Sequence, residues 1–146
     1  MAQLSGTWTG TLRCESGDEL PAVFKITESG NPIYEYQTRS GSREVELTFP
    51  GQAVAFVPPD GGVINVVVDS LSVSPDHIEF LISVSDEKTS WETLSQSRAA
   101  ILYEAALSGS GLEVRMTVRS QTTFSQPGMV VPGEESTIAC SGTLRR

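Results

Sequence analysis

Two stretches at opposite ends of the chain decide the fold: Gly6-Thr7-Trp8-Thr9-Gly10-Thr11-Leu12-Arg13-Cys14 and Thr137-Ile138-Ala139-Cys140-Ser141-Gly142-Thr143-Leu144-Arg145. Both alternate apolar with polar residues, the period of a strand with one buried face. Set antiparallel with Cys14 opposite Cys140, they bring Leu12 against Gly142, Gly10 against Leu144 and Trp8 against Arg146. A large side chain meets a glycine at two successive positions, as cross-strand packing favours. At the outer end a guanidinium faces an indole. Two unrelated thiols give no reason for that match, so a structural disulfide is the favoured reading and independent buried thiols the alternative. The pair is neither a four-ligand zinc knuckle nor a Cys-x-x-Cys redox site.

Between these ends the same period recurs. Ala22, Phe24 and Ile26 alternate with polar or outward residues, as do Tyr34 and Tyr36, then Val45, Leu47 and Phe49. Ile64, Val66 and Val68 follow, then Ile78, Phe80, Ile82 and Val84, and finally Leu112, Val114, Met116 and Val118. Turn residues separate the runs, among them Ser29-Gly30-Asn31-Pro32, Ser40-Gly41, Pro58-Pro59-Asp60-Gly61 and Ser108-Gly109-Ser110-Gly111. One stretch is ambiguous. Residues 98–107 have high helix propensity, yet Ala99, Ile101, Tyr103, Ala105 and Leu107 also alternate, and a strand there forms a hairpin with the next segment. The strand is preferred. The expectation is an all-β fold, an antiparallel up-and-down barrel of about eight to ten strands, with a β-sandwich as the alternative. Without linkers or repeats, residues 1–146 read as a single β-barrel domain.

Composition narrows the function. The chain has 146 residues, with ten Lys and Arg against eighteen Asp and Glu, and a net charge of −8. That sign opposes nucleic acid and anionic membrane surfaces. Arg115 and Arg119 share a strand face with Arg13 placed nearby, but Glu113 interrupts the patch. No apolar run approaches the roughly 20 residues of a helical membrane span. A disulfide implies an oxidising compartment, hence a secreted or periplasmic protein; without the bridge a cytoplasmic location is expected. Met1-Ala2-Gln3-Leu4 runs straight into the first strand, so either a signal was removed before Met1 or the start is cytosolic.

Gly6-Thr7-Trp8 at the start of an all-β chain of this length resembles the Gly-x-Trp motif of the calycins, the lipocalin-like barrels. The resemblance covers that motif, the strand count and the end-to-end closure. It implies that Trp8 closes one barrel end and packs on a basic residue of the last strand, Arg146 or Arg145. A Thr-Asp-Tyr motif in the later part and a helix before the final strand, which the family carries, are missing from the pattern.

Enzymatic constellations are largely missing. His77, the single histidine, follows Asp76 and reads as a turn residue entering a strand rather than as a general base. Glu44 with Glu46 lie on the polar face of a strand, and Glu134 with Glu135 and Asp86 with Glu87 are weak cation signals. No phosphate loop, nucleophile elbow or dinucleotide fingerprint is present. The expectation is a non-enzymatic protein without cofactor or metal that binds a small apolar ligand in a cavity of several hundred cubic ångström inside the barrel, an interior filled by side chains being the alternative. Its lining would come from inward aromatics, chiefly Phe24, Tyr34, Tyr36, Phe80 and Tyr103, with Phe49, Phe56 and Trp91 in the same inventory. Residues 120–136, with Phe124 and Pro127-Gly128-Met129-Val130-Val131-Pro132-Gly133, read as a long loop. Met129 at its tip would gate the barrel, unless the segment is a flap packed on the core. The alternative is an interaction or self-assembly module in which that loop docks on a partner, most simply a second copy in a homodimer.

Overall fold

A computed structural model describes residues 3–38, 41–57, 62–90, 93–126 and 128–146. The ten strands are β1 (Gly6–Cys14), β2 (Glu19–Ile26), β3 (Pro32–Thr38), β4 (Gly41–Glu46), β5 (Ala53–Phe56), β6 (Val63–Ser74), β7 (His77–Ser90), β8 (Thr93–Ser108), β9 (Gly111–Gln126) and β10 (Met129–Arg145). They form one antiparallel sheet in the order β4-β3-β2-β1-β10-β9-β8-β7-β6-β5, curled into a nearly closed barrel. The segment at 98–107 is strand. Trp91, Ser40, Pro127 and the turn read at 58–61 lie outside the described residues.

The first and last strands pair from Thr9 opposite Arg145 to Cys14 opposite Cys140, and the two cysteines are bonded. Gly142 is pressed against Leu12 and Gly10 against Leu144. The Arg146 guanidinium lies 4.3 Å from the centre of the Trp8 ring. It also donates to the carbonyls of Gln3 and Ser5 at 2.7 and 3.0 Å, while the indole donates to Leu4 at 2.8 Å. Trp8 is wholly buried, and these bonds seal its end of the barrel. The core is the inward face of the strands, with Ile64, Val66, Val68, Ile78, Phe80, Ile82, Leu112 and Leu144 almost inaccessible. Among the described residues no polar or charged side chain is buried.

The opposite end is uneven. Strands β7 to β10 run 14 to 17 residues, whereas β1 has nine and β2 eight. The long strands therefore project past the disulfide, and the part of β10 before Ala139 has no described strand on its β1 side.

Two expectations change here. Residues 120–136 are not a loop. The β9 and β10 ladder continues to Gln126 opposite Met129, with Gly128 (φ +78°) in the turn and a bulge between Pro132 and Glu135. Thr122, Thr123, Phe124, Val130 and Val131 favour extended chain, and the glycine and proline fall where turn and bulge accept them. Phe49 does not face inward. β4 ends at Glu46, and Phe49 is 55% exposed in the turn before Gly51. The Gln52 side chain accepts from Thr48 N at 2.8 Å and donates to Glu46 O at 2.8 Å. That local bridge replaces a strand partner and stops the alternation after Leu47.

Candidate functional site

Inward alternation brings four rings from four strands together. Phe24 on β2, Phe80 on β7 and Tyr103 on β8 lie with centroids 4.9 to 6.2 Å apart, Phe80 and Tyr103 being the closest, stacked pair. Tyr34 on β3 completes the wall. Tyr36 meets Phe56 edge-on at 5.8 Å, across the seam between β3–β4 and β5. Phe80 and Tyr103 face each other because their strands put them in register. Offset and tilted rings at these spacings attract beyond the burial of their area.

The sheet is thin where these rings gather. β2 and β3 share only two ladder positions, Lys25 opposite Ile33 and Ile26 opposite Pro32, and then diverge. Their separation leaves a cavity of about 80 Å³ bounded by Phe24, Tyr34, Phe80 and Tyr103 on the inside and by Lys25 and Glu35 at the rim. On the outer surface Lys25 Nζ donates to Glu44 Oε1 at 2.7 Å, reaching over β3 to β4. Glu35, the cross-strand neighbour of Glu44, also acts on the charge of Lys25. The hydrogen bond to Glu44, then its charge, raises the Lys25 pKa.

Burial pushes the Tyr34 phenol well above its ordinary pKa, with Tyr103 and Tyr36 adding to the shift. Burial raises Tyr103 as well, and raises Tyr36 together with the negative charge of Asp86. All three phenols are therefore neutral at physiological pH and can donate a hydrogen bond. No buried polar side-chain atom among the described residues lacks a partner. Asp86 is close enough to act on Tyr36.

Five of the six residues expected to line the ligand thus converge: Phe24, Tyr34, Phe80 and Tyr103 on one cavity, and Tyr36 beside it. Met129 is apart, 54% exposed at the far tip of the β9–β10 hairpin. The cavity is smaller than the several hundred cubic ångström expected of a barrel binding a drug-sized molecule. Larger recesses of about 410, 440 and 270 Å³ are open hollows of the barrel surface, the first edged by Glu104, Glu113 and Arg115, the second by Arg98 and Arg119 and the third by Arg13 and Arg115. Glu44 and Glu46 are on the solvated face, and His77 begins β7 after a turn held by Ser74. No cluster of three metal-ligating side chains occurs among the described residues. Alternation identified the rings; Glu44 and Asp86 stood out only as members of acidic pairs and nothing local marked Lys25, because their contacts depend on strands distant in sequence.

Fold and site together define a nearly closed up-and-down antiparallel barrel, stapled where its first and last strands pair and lined by aromatics at a gap in its wall. Comparison with protein-family models, with curated proteins and with solved structures found no match. No helix among the described residues is long and apolar enough to cross a membrane.

Proposed function

We propose that the protein is a non-enzymatic, lipocalin-like barrel that binds a small neutral, largely apolar molecule carrying a hydrogen-bond acceptor. The observation behind this reading is the convergence of two phenols and two phenylalanine rings on one cavity at a break in the wall. The rings supply apolar contact and Tyr34 and Tyr103 supply donors that stay protonated. Asp86 and the net charge of −8 argue for a neutral rather than an anionic ligand. The disulfide supports residence in an oxidising compartment, secreted or periplasmic. Self-association through the β9–β10 hairpin ranks second. Phe124, Met129, Val130 and Ile138 are exposed there, but Pro132 and the adjoining bulge blunt the free edge against pairing.

Titration with prodan, a neutral naphthyl ketone whose fluorescence reports polarity, tests the reading. Saturable binding with blue-shifted emission is expected. Tyr103→Phe should weaken it about three- to tenfold, the worth of one hydrogen bond. Lack of saturable binding, or equal affinity in the variant, would refute it.

A further inference from the structure

One inward position of β7 breaks the apolar pattern. Ile78, Phe80, Ile82 and Val84 are buried on the inner face, and the next residue on that face is Asp86. Phe56, Ile64 and Asp86 stand in one row across β5, β6 and β7, and Ile64 between them is 3% exposed. Tyr36 comes to this row from β3, edge-on to Phe56 at 5.8 Å, across the seam where β4 and β5 share no ladder. Burial first and the charge of Asp86 second raise the Tyr36 pKa, so carboxylate and ring act on each other. Asp86 is half-buried, and among the described residues its carboxylate has no ion pair. Arg43, opposite Tyr36 on β4, and Lys88, two residues beyond Asp86, share its face, but both are exposed and neither pairs with it. Nor is it covered from β6: Gly62 (φ +85°) leaves open the space where a Cβ would stand 3.6 Å from Asp86 Oδ1. A carboxylate turned inward without a counter-charge costs stability, and groups of that kind mark functional sites.

We propose that this seam is a subsite for an organic ammonium group, held by the Asp86 carboxylate and the rings of Tyr36 and Phe56. The carboxylate accepts the N–H donors of the group and neutralises its charge. The rings attract a cation within about 6 Å of their centres and pack on the carbons beside its nitrogen. Ser97, the ladder neighbour of Asp86 on β8, brings a hydroxyl oxygen that can accept a further N–H. The net charge of −8 draws cations to the protein and repels anions. A metal ion fits less well, because one carboxylate and one hydroxyl supply too few oxygen ligands, and no cluster of three metal-ligating side chains occurs among the described residues. The subsite lies apart from the cavity bounded by Phe24, Tyr34, Phe80 and Tyr103. The inference therefore goes beyond the binding of a neutral molecule there and does not depend on it.

Amide chemical-shift titration of the isotope-labelled protein with phenethylammonium, against phenethyl alcohol as the neutral isostere and at constant ionic strength, tests the subsite. The ammonium ion should saturate, with the shifts centred on Tyr36, Ile64 and Asp86. It should bind about tenfold more tightly than the alcohol, the lower range for a hydrogen bond to a charged group. Asp86→Asn should bring the ammonium ion down to the affinity of the alcohol and leave the alcohol within about twofold. Phe56→Leu should weaken the ammonium ion about two- to fivefold through the lost ring. Glu87→Gln removes the neighbouring charge, which bonds instead to Gln96, and should match the wild type; Tyr103→Phe, a change inside the cavity, should match it too. Equal affinity of the wild type for ammonium and alcohol would overturn the subsite, and that comparison needs no variant to fold. So would equal losses in Asp86→Asn and Glu87→Gln, or shifts gathered on Glu104 and Glu113 instead of the seam. Prodan binding decides the cavity separately, so either reading can fail without the other.

Discussion

Gly142→Ala is expected to damage the closure of the barrel out of proportion to the one methyl it adds. A Cβ at Gly142 would lie well inside van der Waals contact with the Thr11 carbonyl oxygen, and 3.2 Å from both Leu12 Cα and Leu12 Cδ2. Thr11 O and Leu12 Cα are backbone atoms of the facing strand, so no rotamer change relieves the clash. The backbone of Gly142 needs no left-handed conformation, so the effect is one of space alone. The β1–β10 seam must open locally. Overpacking of this kind costs about 1 to 3 kcal/mol, and each weakened seam hydrogen bond adds about 1 kcal/mol. The smaller entropy of the unfolded alanine chain returns about 0.5 to 1 kcal/mol. With one such bond weakened, the net loss is about 1 to 3.5 kcal/mol, or a fall of roughly 3 to 11 °C in Tm at this chain length. Gly111→Ala is the internal control, because its Cβ meets first the Thr143 methyl, which can rotate away. Urea titration followed by circular dichroism, with Tm by calorimetry, gives both values. If Gly142→Ala is as stable as Gly111→Ala, the close approach of the two terminal strands is wrong.

Two further outcomes follow from the same structure. Replacing Cys14 and Cys140 by serine should lower stability by up to about 5 kcal/mol, the chain-entropy value for a loop of this size, since the bond spans 126 residues. Urea midpoints of the two proteins measure it, and a loss below about 1 kcal/mol would mean that the seam holds without the bond. Stability should also fall with rising alkalinity. Burial raises the folded-state pKa of Tyr34 and Tyr103 above the ordinary 10.0, so their contribution is complete below about pH 10 and is lost as pH climbs towards the folded values. There the unfolded chain releases phenolic protons that the folded chain keeps, at up to about 1.4 kcal/mol per pH unit for each tyrosine. Unfolding free energies between pH 9 and 12 should show that slope, reduced in Tyr34→Phe with Tyr103→Phe; equal slopes would place both phenols in water.

The closure of the barrel was legible because its determinants are local. Strict alternation, two glycines opposite two leucines and a cysteine in each terminal strand converge on one register, and a one-residue slip would turn every one of them to the wrong face. The aromatic lining was legible for the same reason, with Phe49 the exception. The Gln52 side chain bonds to the backbone four and six residues back and diverts the chain before Phe49 can continue the pattern. Residues 120–136 read as a loop because Pro132 and Gly133 signal irregular chain in isolation, whereas the β9–β10 ladder before and after them absorbs them as a bulge. The gap between β2 and β3 had no signature, because divergence of two strands depends on the twist and stagger of the whole sheet. Lys25 and Glu44 read as two ordinary exposed charges until β3 brings them together.

A purely structural account of the aromatic cluster also exists. A phenol needs a polar partner or water, and tyrosines placed at a gap have water at hand without any ligand. The two accounts differ in what removal of the hydroxyls does. If Tyr34 and Tyr103 were there only to be hydrated while plugging a thin wall, phenylalanine would remove a polar group from a half-buried site. The double variant would then be as stable as the wild type or more so, with prodan binding unchanged or strengthened by the more apolar lining. If the hydroxyls serve an acceptor on the ligand, stability is again maintained near neutral pH but affinity falls, because the bound carbonyl loses the donors it exchanged for water.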